Sequence, residues 1–384
     1  MADFRPVKRI VVLGATGSIG CQTLDIVRSH PDRFDVAGLA GGRNLPLLTQ
    51  QVREFRPAMV SFEQEAPFDP GPGHAVTLCS MEEMVADPSV DLVVVGTVGK
   101  AGLSATLAAL RAGKAVALAN KEVLVMAGGI VQETARRYGG RLLPVDSEHS
   151  AIWQCLVGEP GEPWPAIRRL ILTASGGAFR DMDPDLFSAV TPEQALRHPT
   201  WQMGRKITVD SATLMNKGFE VIEAHWLFGY GFEQIEVVQH RESIVHSMVE
   251  FPDGSIKAQL GIPDMRVPLQ YALTYPERWP SPAAATDFLK LGSLTFEPVD
   301  ARRFPCLPLA LQAGKAGGAY PAVLSAADEV AVGRFLNSEI RFSDIYDTVA
   351  EALDRHSPIT APALDEILDA DAWARRFAST RAAA

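Results

Sequence analysis

Apolar residues follow two rhythms along this chain, and the changes between them divide it. From residue 9 to about 130, short unbroken apolar runs alternate with segments whose apolar positions recur every three or four residues. RIVVLG (9–14), FDVAGLA (34–40), AMVSF (58–62), DLVVVG (91–96) and AVALA (115–119) read as buried strands. The intervening segments, 18–29, 45–55, 102–112 and 121–138, read as helices. Strands alternating with helices predict βαβ units around a parallel sheet, an α/β arrangement of the Rossmann-like kind.

Beyond this region the rhythm changes. A strand-like run, RLLPV (141–145), precedes VDSEHSAIWQC, and a helical run, AIWQCLV (151–157), follows its carboxylates. The strand-like runs of 235–261, with a PDG turn, predict a central α+β domain whose sheet is largely antiparallel. A proline-punctuated stretch, 276–300, reads as a linker. From about 303 the pattern is helical throughout and predicts a C-terminal helical bundle. The resulting division is 1–145, 146–275, the linker 276–300, and 301–384. No repeat at a solenoid period is present.

Composition narrows the chemistry. Lys and Arg total 36 against 46 Asp and Glu, a formal charge of −10. That balance argues against nucleic acid as a partner but leaves room for a small anionic substrate held by a local cluster of donors. The four cysteines, Cys21, Cys79, Cys155 and Cys306, lie far apart with no CxxC pair, which favours a reducing cytoplasm over a disulfide framework. The segment MADFRPVKRIVVLG lacks the pattern of a signal peptide, and no apolar run predicts a membrane span.

The first strand runs into GATGSIG, which places Gly14, Gly17 and Gly20 between a strand and a helix. Such a turn lets backbone approach a pyrophosphate seated at the helix N-terminus. The spacing is GxxGxxG, so the strand-to-helix context carries the reading, with a plain glycine-rich turn as the alternative. After the second strand comes Gly42-Arg43-Asn44, with no acid for a ribose 2′-hydroxyl. Arg43 suits a 2′-phosphate, so NADP(H) is expected over NAD(H). The strand 115–119 runs into Asn120, Lys121 and Glu122, at the sheet end that faces the ligand crevice. A surface Lys–Glu pair at a helix start is an equal alternative there.

Candidate chemistry clusters in the middle of the chain. Asp146 and Glu148 flank Ser147, with His149 after them; alone, this reads as a capped helix start. TASGG (173–177) sets Ser175 and two glycines after a strand. DSATLMNKGFE (210–220) holds Ser211, Asn216, Lys217 and Glu220, a plausible pocket for a phosphate monoester, with Glu220 at the start of a helix. Together, Asp146, Glu148 and Glu220 would make a three-carboxylate site, whose oxygen-only donors favour Mg²⁺ or Mn²⁺. HPTWQMG (198–204) brings His198, Trp201, Met203 and Gly204 into a loop, where Trp201 is either a packing anchor or part of a lid.

These motifs, with VIEAHWLF, IVHSMVEFPDGS and DMRVPLQYAL, occur in an order that resembles the 1-deoxy-D-xylulose 5-phosphate reductoisomerases across essentially the whole chain. The resemblance implies an NADPH- and metal-dependent enzyme (Mg²⁺, Mn²⁺ or Co²⁺) of the methylerythritol phosphate route to isoprenoid precursors, a cytoplasmic homodimer sensitive to fosmidomycin. It implies metal ligands at Asp146, Glu148 and Glu220, and phosphate contacts at Ser175, Ser211, Asn216 and Lys217 with His198 close by. Ser147 and Lys121 would lie near the reacting part of the substrate, beneath a loop formed by His198, Trp201 and Met203. The cofactor side would include Gly14, Thr16, Gly17, Ser18, Ile19, Gly42, Arg43, Asn44, Asn120, Lys121, Glu122, Gly204 and Met265. The implied reaction is a retro-aldol/aldol rearrangement of the ketose phosphate rather than an α-ketol shift, then hydride reduction of the resulting aldehyde. Departures from the family pattern are small: GATGSIG for GSTGSIG, TASGG for TGSGG, and Thr200 for asparagine or serine. Two competing readings share the first domain. An NADP-dependent dehydrogenase of a simple hydroxy acid would not need the clustered carboxylates, and an NADPH-sensing protein would be expected to lose them.

Overall fold

The computed structural model describes residues 7–63, 68–161 and 164–382. The chain forms two compact units that are interleaved in sequence. The first takes residues up to Val123, Gly129–Ser150 and Asp264–Ala284; the second takes Leu124–Gly128, Ala151–Pro263 and everything from Ala285 onward.

In the first unit seven parallel strands form one sheet. They are β1 (Lys8–Leu13), β2 (Phe34–Gly41), β3 (Met59–Phe62), β4 (Thr77–Leu78), β5 (Leu92–Val95), β6 (Ala115–Leu118) and β7 (Arg141–Pro144), in the order β4-β3-β2-β1-β5-β6-β7. Every residue of β5 and β6 is buried, as the unbroken Val, Leu and Ala runs of central parallel strands require. The connections are α1 (Ser18–Ser29), α2 (Leu45–Phe55), α3 (Met81–Ala86), α4 (Leu103–Arg111) and α5 (Glu122–Tyr138), and β7 leads into α6 (Ser147–Leu156). The returning helix Arg266–Thr274 also belongs here. The strand order reverses between β1 and β5, so the carboxyl ends of these two strands border the crevice where such sheets take ligands. Periodicity did not mark β4 or α3, although Ser80 and Glu83 form a capping box at the head of α3.

The second unit contains the mixed sheet β11-β10-β8-β9-β12, built from β8 (Arg169–Ala174), β9 (Ile235–Gln239), β10 (Val245–Glu250), β11 (Ile256–Leu260) and β12 (Glu297–Pro298). Its pairings are antiparallel except β8 with β9. Between β8 and β9 lie α7 (Pro192–Ala195), α8 (Arg205–Thr213) and α9 (Met215–Phe228). After β11 come α10 (the returning helix Arg266–Thr274), α11 (Phe288–Leu291) and β12, so the stretch read as a linker supplies an edge strand. The C-terminal helices are α12 (Cys306–Ala316), α13 (Tyr320–Leu336), α14 (Ser343–Arg355) and α15 (Leu364–Thr380). They share one core with α9, through residues such as Phe219, Ile222, Val323, Ala327 and Ala374. At Gly218 of α9 a Cβ would stand 2.3 Å from that of Ala310 on α12, so only glycine permits this helix crossing. Among the described residues no helix is long and apolar enough to cross a membrane.

Candidate functional site

The turn after β1 is built by leaving side chains out. Gly14 has φ +80°, and a Cβ on it would lie 2.5 Å from the carbonyl oxygen of Gly96, at the end of β5. A Cβ on Gly96 would in turn meet Ile19 at 2.9 Å. Gly96 therefore completes the turn; its only sequence signal was its place at the end of an apolar run. Gly17 precedes α1 with no side-chain cap, and the first turn of α1, which begins with Ser18 and Ile19, holds no acid. The uncapped N–H groups and the helix dipole together favour an anion at this point.

Other predicted cofactor residues border the same strand ends. Gly42, Arg43 and Asn44 link β2 to α2; Arg43 is exposed, while Asn44 accepts a hydrogen bond from the Leu47 N–H at 3.3 Å and caps α2. Asn120 is buried at the end of β6, where its amide N–H₂ donates to Thr97 Oγ1 (3.1 Å) and to the Gly99 carbonyl (2.9 Å). Its Oδ1 is buried and meets no donor among the described residues. Glu122 begins α5, and Met265 sits just before α10 in the first unit.

The carboxylates of VDSEH follow β7 in this unit. The buried ammonium of Lys121 lies 2.5 Å from Asp146 Oδ2. Asp146 Oδ1 accepts the Ser147 N–H at 3.0 Å, and Ser147 Oγ donates to Glu148 Oε2 at 2.6 Å. His149 is fully buried, with Nδ1 3.8 Å from Asp146 Oδ2. Asp146 immediately precedes α6, so its carboxylate stands at a helix start, as the helix-start reading expects.

The second unit carries the other half of the predicted chemistry. TASGG follows β8, and a Cβ on Gly177 (φ +67°) would stand 2.3 Å from the Ser211 carbonyl, so this loop touches α8 at Ser211. His198 Nδ1 accepts two backbone N–H bonds, from Thr200 (3.2 Å) and Trp201 (2.9 Å). That fixes the proton on Nε2, which donates to Ser175 Oγ at 3.0 Å. Burial first, and Arg180 second, push His198 down to about 4, so its ring is neutral near pH 7. Trp201 is half-buried, its ring 6.0 Å from that of His246 on β10, a neighbour that periodicity alone does not reveal.

The run DSATLMNKGFE spans the end of one helix and the start of the next. Leu214, buried at φ +57°, breaks the run, and α9 begins at Met215. Glu220 therefore lies in the second turn of α9 rather than at the helix start expected of it. The structure gives it different partners: Asn216 donates to Oε1 and Lys217 to Oε2. Lys217 and Glu220 are both buried. Asn216 and Lys217 thus occupy the first turn of α9, which holds no acid.

The chain is similar to known proteins along nearly its full length. Family models match this chain over 10–128 (1-deoxy-D-xylulose 5-phosphate reductoisomerase), 142–228 (its C-terminal domain) and 260–377 (DXP reductoisomerase C-terminal domain). A 1-deoxy-D-xylulose 5-phosphate reductoisomerase of Pelotomaculum thermopropionicum is 52% identical over 383 residues, covering 97% of each chain. One from Bacillus cereus strain Q1 is 51% identical, covering 97% of this chain and 99% of its own. The reductoisomerase of Zymomonas mobilis, solved in complex with NADPH, superposes with a TM-score of 0.90 at 42% identity, covering 97% of this chain and 98% of its own. A DOX-P reductoisomerase solved with NADPH, fosmidomycin and magnesium superposes at 0.91 with 40% identity and the same coverage. With a glycine turn at the switch point, serine, asparagine and lysine at a helix corner, and likeness along nearly its full length, this chain belongs to the 1-deoxy-D-xylulose 5-phosphate reductoisomerase family.

Proposed function

We infer that the chain converts 1-deoxy-D-xylulose 5-phosphate to 2-C-methyl-D-erythritol 4-phosphate, an isoprenoid precursor, with NADPH and a divalent cation. The observation that carries the site assignment is the donor set. Asp146 and Glu148 in one unit and Glu220 in the other are carboxylates, each oriented by a lysine, a hydroxyl or an amide. All-oxygen donors of this kind fit Mg²⁺ or Mn²⁺. A cation bound there supplies Lewis-acid polarisation of the substrate's carbonyl and hydroxyl oxygens, and NADPH supplies the hydride.

The chain's own residues do the rest. Lys121 pairs with Asp146 and Ser147 donates to Glu148, so both carboxylates keep fixed directions. Ser175, Ser211, Asn216 and Lys217 take the substrate phosphate. Ser175 Oγ already accepts from His198 Nε2–H and the Gly177 N–H, which leaves its own proton for a phosphate oxygen. Lys217 has three N–H bonds, enough to serve Glu220 and a phosphate together. Binding energy from the phosphate then fixes the reacting carbons in place. His198, Trp201 and Met203 form the loop that excludes water. On the cofactor side, Gly14, Thr16, Gly17, Ser18 and Ile19 receive the pyrophosphate and Arg43 the 2′-phosphate. The buried Asn120 Oδ1 offers an acceptor for a cofactor hydroxyl or amide. Two further assignments are ours. Four free thiols suit a reducing cytoplasm. A second copy of the chain is the expected partner, and the exposed Phe288 and Leu289 of α11 and Phe296, just before β12, are the apolar surface offered to it.

The test is substrate-dependent NADPH oxidation followed by absorbance, with added Mg²⁺ or Mn²⁺ and with excess EDTA. Turnover with the metal and none with EDTA is expected; full activity in EDTA would remove the three carboxylates from the scheme.

A further inference from the structure

Helix α8 goes against a charge rule. Its first turn carries Arg205 and Lys206 and no acid, although the positive end of a helix dipole disfavours cations. The surroundings of Lys206 account for its presence. Its ammonium lies 2.7 Å from Asp210, one turn along α8, and 3.0 Å from Asp328 on α13. It also stands 4.7 Å over the ring of Phe219 on α9. Asp328 is fully buried and Asp210 nearly so. Two carboxylates thus share one ammonium away from bulk water, an arrangement that resists loss of any one member.

The cluster joins the pieces that hold the substrate phosphate. Lys206 lies two residues after Gly204, where the Trp201 loop ends, and Asp210 precedes Ser211. At the end of α8, Thr213 Oγ1 donates to the Asp210 carbonyl at 3.1 Å and accepts the Met215 N–H at 3.2 Å. These bonds span the left-handed Leu214 and lead directly to Asn216 and Lys217. We propose that Lys206, Asp210 and Asp328 are positioning residues. As a buried ion cluster they tie the α8–α9 corner to the C-terminal helices, so that Ser211, Asn216 and Lys217 stand ready for the substrate phosphate. The proposal rests on the phosphate assignment given above.

The test uses the full chain with NADPH and Mg²⁺, and inorganic phosphate as a competitive inhibitor of the sugar phosphate. Lys206→Met is expected to raise the phosphate inhibition constant and the substrate KM about tenfold, because small misplacements of positioning groups are costly. The NADPH KM should stay within about twofold, and Lys206→Arg should restore most of the loss. Adding Asp328→Asn to Lys206→Met should cost nothing further, since the lysine's partners act as one unit. A Lys206→Met protein that melts earlier yet binds phosphate and substrate normally would overturn the proposal and reduce the cluster to a strut. Should Lys206→Met not fold, Asp328→Asn carries the same measurement with the same two outcomes. Lys217→Ala separates the readings. If it leaves phosphate inhibition unchanged, the phosphate assignment itself fails; if it weakens phosphate while Lys206→Met does not, only the positioning role falls.

Discussion

The turn after β1 and the corner between α8 and α9, each proposed above to take a phosphate, are built by opposite means. The first works by absence: a methyl on Gly14 would clash with the Gly96 carbonyl, and one on Gly96 with Ile19. Its field comes from the uncapped end of α1. The second works by presence: Lys217 and Glu220 are buried with half-buried Asn216 beside them, and each ion has a partner. A backbone-built site tolerates changes in its neighbours but not in its glycines. A side-chain-built site with buried charge is sensitive to every member, because removing one leaves another unpaired.

That contrast can be broken or sharpened by substitution. The largest effect is expected at Glu220→Gln, which keeps the shape and removes the charge; kcat should fall by at least about 100-fold while NADPH affinity holds, as measured by steady-state kinetics and cofactor fluorescence. Full turnover would mean that the corner holds phosphate only and takes no part in metal binding. Gly14→Ala comes next. The backbone oxygen of Gly96 cannot move as a flexible side chain can, so NADPH affinity should fall about 30-fold, the equivalent of about 2 kcal/mol of strain. Phosphate inhibition should be untouched; a matching loss there would show that the two sites are not independent. Arg43→Asp is smaller: about tenfold weaker NADPH with NADH little altered. Equal changes in both cofactors would take Arg43 off the 2′-phosphate.

The smallest effect is expected from pH. His198 binds its proton at about 4 when folded, against 6.5 for the ordinary ring, because burial disfavours the cation. The neutral ring's contribution to loop stability is therefore complete above about 6.5 and lost as pH falls through about 4. Protonation would also end the two N–H bonds that Nδ1 accepts from Thr200 and Trp201. A change in tryptophan fluorescence with a midpoint near 4, absent in a Trp201→Phe variant, is the expected observation. A flat profile from pH 7 to 4 would detach His198 from the loop.

Local periodicity located some elements and missed others. The spans 18–29 and 45–55 fall on α1 and α2, since each turns on local periodicity and a clear boundary. The helical pattern from about 303 likewise falls on α12 to α15. The break at Leu214 was not legible, because nothing in SATLMNKG is a helix breaker at that point. Leu214 adopts its left-handed conformation in a pocket shared with Ala174, Phe304 and Leu307, all distant in sequence. The place of Glu220 in α9 followed from that break. Lys206 and Asp328 lie 122 positions apart, and no spacing rule could pair them.

By itself, then, the sequence determined the alternation that makes a parallel sheet, the glycines that make its turn possible, and the stock of carboxylates, hydroxyls and lysines that the chemistry needs. All of these are local: they depend on residues within one or two turns of one another. Only the tertiary structure decided that residues 264–284 return to the first unit, that β8 pairs in parallel with β9, and that Lys206 holds Asp328 while Lys121 holds Asp146. It decided these because buried ions and buried apolar faces choose partners by proximity after folding, and distance along the chain does not limit that choice.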